Sequence, residues 1–81
     1  MTTKFEGNSH IIYWGDAIEV MKSEIESNSI DLIFVDPPYN IGKKFDGFND
    51  KWPSDDAYVN WAYLWLDECV RILKTTGTLY V

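Results

Sequence analysis

The sequence predicts an α/β fold of order β-α-β-loop-α-β with parallel strands. Three observations carry the prediction: a short apolar run at residues 30–35, a segment of helical apolar spacing on either side of it, and strand-like stretches before the first helix and after the second. Strands that alternate with helices favour a parallel sheet joined by crossovers.

His10-Ile11-Ile12-Tyr13-Trp14 reads as the first strand. Gly15 turns the chain and Asp16 is a helix N-cap candidate, since its short carboxylate can accept from the free N–H groups of a first turn. From Ala17 to about Ile25 the apolar residues Ile18, Met21 and Ile25 recur at helical spacing, with Glu19, Lys22 and Glu24 left for solvent. Ser27-Asn28-Ser29 breaks that pattern.

Ile30-Asp31-Leu32-Ile33-Phe34-Val35 then reads as a parallel strand buried on both faces. It delivers Asp36-Pro37-Pro38-Tyr39 to one point, and ligands of open α/β sheets bind outside the carboxyl ends of such strands. After Tyr39, residues 40–53 hold two glycines and no sustained period, a long loop of the kind used for lids or binding segments. Ser54, followed by Asp55 and Asp56, starts a second helix. Its stripe is Ala62, Trp65, Leu66, Cys69, Ile72 and Leu73, with Asp67, Glu68, Arg71 and Lys74 between. Thr75-Thr76-Gly77 is expected to stop this helix, and Thr78-Leu79-Tyr80-Val81 to begin another strand. The sequence ends there on an apolar residue with no turn or charge behind it, which predicts part of a larger domain.

Eighty-one residues form at most one small domain of marginal stability. No apolar span reaches bilayer length, and the first residues lack the apolar core of a secretory signal, so the expectation is a cytoplasmic protein without membrane contact. One cysteine, Cys69, cannot make an internal disulfide, and with only His10 beside it in the composition no metal site is expected. The net charge of −6 argues against an extended nucleic-acid footprint within these residues. If DNA is the partner, most of the grip lies elsewhere. Lys43-Lys44 is a local exception, readable as a solvated loop or as a phosphate contact. Arg71 and Lys74 are expected to complement the dipole of their own helix end.

A strand that ends in Asp could also hold a metal in a nucleotidase, but that reading needs a Gly-rich loop ending in Gly-Lys-Ser/Thr, which Gly42-Lys43-Lys44 does not supply. Pro37 and Pro38 fix φ and remove two backbone donors, which stiffens the turn and leaves carbonyls to face a ligand.

The block from Asp31 through Asp36-Pro37-Pro38-Tyr39 to Asn40-Ile41-Gly42, with Gly15-Asp16 before it and Arg71-Ile72-Leu73-Lys74-Thr75-Thr76-Gly77-Thr78 after it, resembles the amino-methylating, S-adenosylmethionine-dependent DNA methyltransferases that act on N6 of adenine or N4 of cytosine. The resemblance implies an incomplete, Rossmann-like methyltransferase sheet, carrying the N-terminal, catalytic-motif portion of the domain. Relatives of this arrangement place a target-recognition region and a glycine-rich cofactor loop later in the chain, and neither is present in these 81 residues. By the same mapping, two later strands separate the Gly15-Asp16 strand from the Asp36 strand, so only the Ile30 and Thr78 strands are expected to pair.

The resemblance assigns Asp36, Pro37 and Tyr39 as catalytic. The Asp36 carboxylate and the Pro37 carbonyl would accept the amine hydrogens, and Tyr39 would stack on a base flipped from the duplex. Pro38, Asn40, Lys43, Lys44 and Phe45 are its candidate substrate contacts, and Asp16 and Asp36 its candidate cofactor contacts, Asp16 doubling as the helix cap. S-adenosylmethionine is expected as the cofactor of the intact enzyme and not to be held well by this chain alone. Double-stranded DNA is the implied partner, through the recognition region, and self-association or pairing with the rest of the enzyme is expected of exposed edges. An initial Asp favours adenine over cytosine N4 as the target. Carbon-5 cytosine methylation would need a cysteine nucleophile, and Cys69 falls on an apolar helix face. Trp61 and Trp65 are read as core and Trp52 as a possible stacking ring. A non-catalytic remnant or interaction module is the alternative from a different class.

Overall fold

The structure, a computed structural model, describes residues 2–39, 43–45, 48–50 and 52–81, with the backbone alone described for 43–45 and 48–50. Strand β1 (Thr3–Glu6) pairs antiparallel with β2 (Ile11–Trp14), in register Thr3↔Trp14 to Glu6↔Ile11. The Gly7 N–H donates to the His10 carbonyl at 2.8 Å to close the turn, and a Cβ on Gly7 would lie 2.4 Å from the His10 ring. Only glycine fits that approach. β1 was not expected from the sequence, since Thr3-Lys4-Phe5-Glu6 has a single large apolar residue and its side chains stay exposed.

Helix α1 (Ala17–Glu24) follows, capped by Asp16 as expected. Its inner face includes Val20, the one fully buried residue of the helix, beside half-buried Ile18, Met21 and Ile25. The chain then turns through Asn28 at φ 55°, a left-handed conformation that asparagine tolerates better than most residues.

Strand β3 (Ile30–Phe34) lies parallel to β6 (Leu73–Tyr80), the only parallel pair among the described residues. This is the pairing expected for these two strands, and the molecule is an incomplete α/β sheet. Burial of β3 differs from expectation. Ile33 is half-buried, but Leu32 and Phe34 are 60% and 78% exposed, so the described residues do not bury this strand on both faces.

Between the Asp36–Tyr39 turn and the second helix, β4 (Lys43–Phe45) and β5 (Phe48–Asp50) pair antiparallel, so the expected long loop has structure of its own. Helix α2 (Asp55–Ile72) starts at Ser54, whose Oγ accepts from the Ala57 N–H at 3.1 Å. Its buried residues are Trp65, Cys69 and Ile72, which with Val20 form the buried apolar core.

α2 ends at Ile72, three residues before the expected stop. Leu73 leaves the helix as its C-cap and opens β6, and the Thr75-Thr76-Gly77 stretch lies inside that strand. The register steps from Ile30↔Leu73 to Leu32↔Thr78, so the Thr-Thr-Gly stretch is a bulge rather than a helix stop. A Cβ on Gly77 would sit 2.6 Å from the Leu73 side chain and 3.0 Å from the Asp31 carbonyl, which is why glycine is needed where the bulge folds back.

Arg71 and Lys74 also act differently from expectation. The Arg71 guanidinium donates to the Met21 and Ile25 carbonyls at 2.6 and 3.0 Å and to Ser27 Oγ at 3.0 Å, while pairing with Glu68 at 2.9 Å. It therefore caps the C-terminus of α1, not of its own helix. The Asn28 and Ser29 N–H groups answer by donating to the Arg71 and Ile72 carbonyls at 2.9 and 2.8 Å. Each helix end satisfies groups the other leaves open. Lys74 pairs with exposed Asp31 on the neighbouring strand at 3.0 Å.

Candidate functional site

The parallel ladder runs one residue beyond β3: the Val35 N–H donates to the Tyr80 carbonyl at 2.9 Å. Asp36 is thus the first residue to leave the sheet. Neither Pro37 nor Pro38 has an N–H with which to continue the ladder. Pro37 is buried, Pro38 half-buried, and Asp36 and Tyr39 are exposed on either side of them. A rigid, partly buried turn therefore presents a carboxylate and a phenol ring outward.

The turn is tied down from α2. Tyr58, at the end of the first helical turn, donates its hydroxyl to the Pro38 carbonyl at 2.8 Å. The Tyr58 ring meets Trp52 edge-on at 5.0 Å and lies 6.0 Å from Trp61, which is 6.1 Å from Trp65. Aromatic pairs at such separations add to the stabilisation from burial. Trp52 also lies 4.8 Å from Trp61, so Trp52, Tyr58 and Trp61 form a triangle of rings with Trp65 beyond it.

An open cleft of about 420 Å³ lies beside the turn. Its walls are the N-terminus of α1 with Asp16 and Ile18, the end of β3 with Phe34, Asp36 and Pro37, and α2 with Trp61, Trp65 and Cys69. Among the described residues, the charged ones in its lining are Asp16 and Asp36. Apolar walls with two carboxylates suit a ligand that joins a flat ring to a positive centre. Asp16 takes the Ile18 and Glu19 N–H bonds, at 2.9 and 3.2 Å, on the same oxygen, Oδ1. Oδ2 remains the oxygen placed to accept from a ligand.

Two further features mark the wall. Trp65 Nε1 is buried with no hydrogen-bond partner among the described residues. Burial, reinforced by neighbouring Glu68, pushes the Cys69 thiol above its usual value of 9.0. A protonated, buried thiol is a poor nucleophile.

The DNA methylase family model for N6 and N4 methyltransferases matches residues 30–81, from the start of β3 to the end of the chain. The chain belongs to this family. It is 43% identical over 79 residues to the DNA adenine methyltransferase YhdJ of Escherichia coli (strain K12), covering 98% of this chain and 26% of that protein. It is 42% identical to the Type II methyltransferase M.BamHI of Bacillus amyloliquefaciens over 86% of this chain and 16% of the relative, and 46% identical to M.HpaI of Haemophilus parainfluenzae over 82% and 20%. The chain thus spans between 16% and 26% of the length of these relatives. No solved structure matches it. S-adenosylmethionine is the methyl donor of DNA methyltransferases in general.

Of the residues read from the sequence as a methyltransferase site, Asp16, Asp36, Pro37 and Pro38 meet in the one cleft, and Tyr39 follows directly on the turn. Asn40 lies outside the described residues. Lys43, Lys44 and Phe45 form β4, with only their backbone described. Trp61, read as core, is half-buried and lines the cleft, whereas Trp65 is buried as expected. Tyr58 was missed. Its one sequence signal is its place on the α2 stripe, three residues before Trp61 and seven before Trp65. No described helix is long and apolar enough to cross a membrane, and no described group of acids, histidines or cysteines is arranged to hold a metal ion.

Proposed function

We propose that these residues are the catalytic-motif portion of a DNA adenine-N6 methyltransferase, which moves a methyl group from S-adenosylmethionine to the exocyclic amine of a flipped adenine in duplex DNA. The observation that carries the reading is the position of Asp36: first residue off a parallel strand, exposed, held by two prolines, and at the rim of a cleft whose described charged residues are both acidic. The adenine target is favoured by the relative whose name specifies a base, the adenine methyltransferase YhdJ.

The adenine amine is a weak nucleophile because its lone pair is delocalised into the ring. Asp36 and the Pro37 carbonyl accept its two hydrogens and draw the nitrogen toward tetrahedral geometry. The cofactor, when bound, supplies an electrophilic methyl on a sulfonium. As the N–CH₃ bond forms and the S–CH₃ bond breaks, positive charge grows on the nitrogen, and the Asp36 carboxylate favours it. The surplus proton of the methylated amine then passes to Asp36 or to water. Tyr39 stacks on the flipped base and offsets an unstacking and unpairing cost of about a few kcal/mol.

Asp16 and the apolar walls fit the other half of the cofactor. Oδ2 of Asp16 would accept from its nucleoside, the two carboxylates complement its sulfonium, and Trp61 and Phe34 offer flat apolar surface. Holding both reactants in near-attack geometry supplies effective molarities on the order of 10⁵–10⁸ M, so a stiff turn matters more here than an activated nucleophile. DNA contacts outside the turn are assigned to the recognition region of the complete protein, since these residues carry net charge −6.

Nucleoside mass spectrometry on DNA from cells expressing the complete protein that carries these residues tests the reading. N6-methyladenine above background is the expected result. Only N4-methylcytosine, or no modified base from a folded, expressed protein, would overturn it.

A further inference from the structure

We infer that Tyr58 is a positioning residue for the catalytic turn: its hydroxyl holds the Pro38 carbonyl, and with it the ψ torsion that follows the two prolines, so that the backbone of Tyr39 starts from a fixed place. The inference rests on the methyltransferase reading of that turn and extends it to a residue of the next helix.

The argument is a count of soft torsions. Each proline ring locks its own φ. A residue that precedes proline is pushed to extended ψ, and this applies both to Asp36, before Pro37, and to Pro37, before Pro38. Pro38 precedes Tyr39, so nothing covalent restricts its ψ. That torsion sets the direction of the Pro38 carbonyl. Because the peptide unit is planar, it also sets where the Tyr39 N–H and Cα go. Among the described residues the last sheet bond of this strand is that of the Val35 N–H, before the proline pair begins. Tyr58 holds the Pro38 carbonyl, at 2.8 Å across twenty residues of sequence.

The holder is itself fixed. The Tyr58 N–H donates to the Ser54 carbonyl at 3.2 Å in the capped first turn of α2, and its ring sits against Trp52 and Trp61. Removing the hydroxyl alone leaves these ring contacts and the cleft walls in place. It releases the Pro38 carbonyl, and with it one of the holds on where Tyr39 begins. The loss should therefore fall on turnover rather than on cofactor binding, in which Asp16 and the opposite wall are untouched.

The test uses the complete protein that carries these residues, with Tyr58→Phe, Val59→Ala and Asp36→Ala compared with the parent in single-turnover methyl transfer at saturating S-adenosylmethionine and duplex DNA. Val59 is exposed on the same helix turn and controls for a general loosening of α2. Tyr58→Phe is expected to slow transfer about tenfold or more, a cost in the range of a misplaced reacting group. Its cofactor affinity and KM for DNA should stay at the parent values, and its melting temperature close to that of Val59→Ala. A Tyr58→Phe rate within about twofold of the parent, or a rate loss shared by Val59→Ala, would overturn the inference. If Asp36→Ala abolishes transfer while Tyr58→Phe matches the parent, the positioning role alone falls. If Asp36→Ala retains transfer, the reading of the turn falls with it.

Discussion

Asp16 carries two duties that substitution can separate. Asparagine caps a helix about as well as aspartate, whereas alanine loses about 1 kcal/mol at such a position. Asp16→Asn is therefore expected to leave the melting temperature of the complete protein nearly unchanged while weakening S-adenosylmethionine binding by calorimetry, and Asp16→Ala to lower both. Equal cofactor affinity in the parent and Asp16→Asn would confine the residue to capping. Cys69 yields a pH prediction. Burial raises its pKa in the folded state, so above its usual value of 9.0 the unfolded chain gives up the thiol proton first. Its contribution to stability is thus fully present below that pH and is lost as the pH rises toward the folded value. Denaturant titrations from pH 8 upward should show the parent losing stability faster than Cys69→Ser; parallel curves would contradict it. The turn at Asp36 was legible because its chemistry sits in four consecutive letters. Tyr58 was not, because its hydrogen bond joins residues twenty apart in sequence.

At the scale of elements, Arg71 links the two helices. Its guanidinium takes the α1 carbonyls of Met21 and Ile25, and it is partly shielded by Glu68. Arg71→Met should cost about 1–2 kcal/mol, given bonds to a charged donor that is partly exposed. Arg71→Lys should recover only part of this, since an ammonium lacks the planar fork that reaches several acceptors at once. Chemical denaturation measures both, and an Arg71→Met protein as stable as the parent would remove the brace from the account. The sequence located both helices because apolar spacing and the caps at Asp16 and Ser54 agree. It misplaced the end of α2 because Thr75-Thr76-Gly77 has the composition of a stop, and only the pairing with β3 turns it into a bulge. β1 and the β4–β5 pair carry too little apolar alternation to be read from the chain.

Among the described residues the parallel pair is only partly covered. Leu32, Phe34 and Tyr80 are exposed on neighbouring strands, and the buried apolar core is small. The 81-residue chain on its own is expected to bind a hydrophobic dye and to associate with rising concentration, measured by fluorescence and sedimentation. A monomer silent to the dye would contradict this. The central claim concerns the rim of the cleft, where one carboxylate leaves the sheet beside a wall whose described residues carry no positive charge. Its most direct test is methyl transfer from labelled S-adenosylmethionine to duplex DNA by the complete protein, parent against Asp36→Ala, with fold and cofactor binding measured on the same samples. The account predicts label on adenine N6 with the parent and essentially none with a folded Asp36→Ala protein at saturating cofactor; transfer at the parent rate by Asp36→Ala would contradict it.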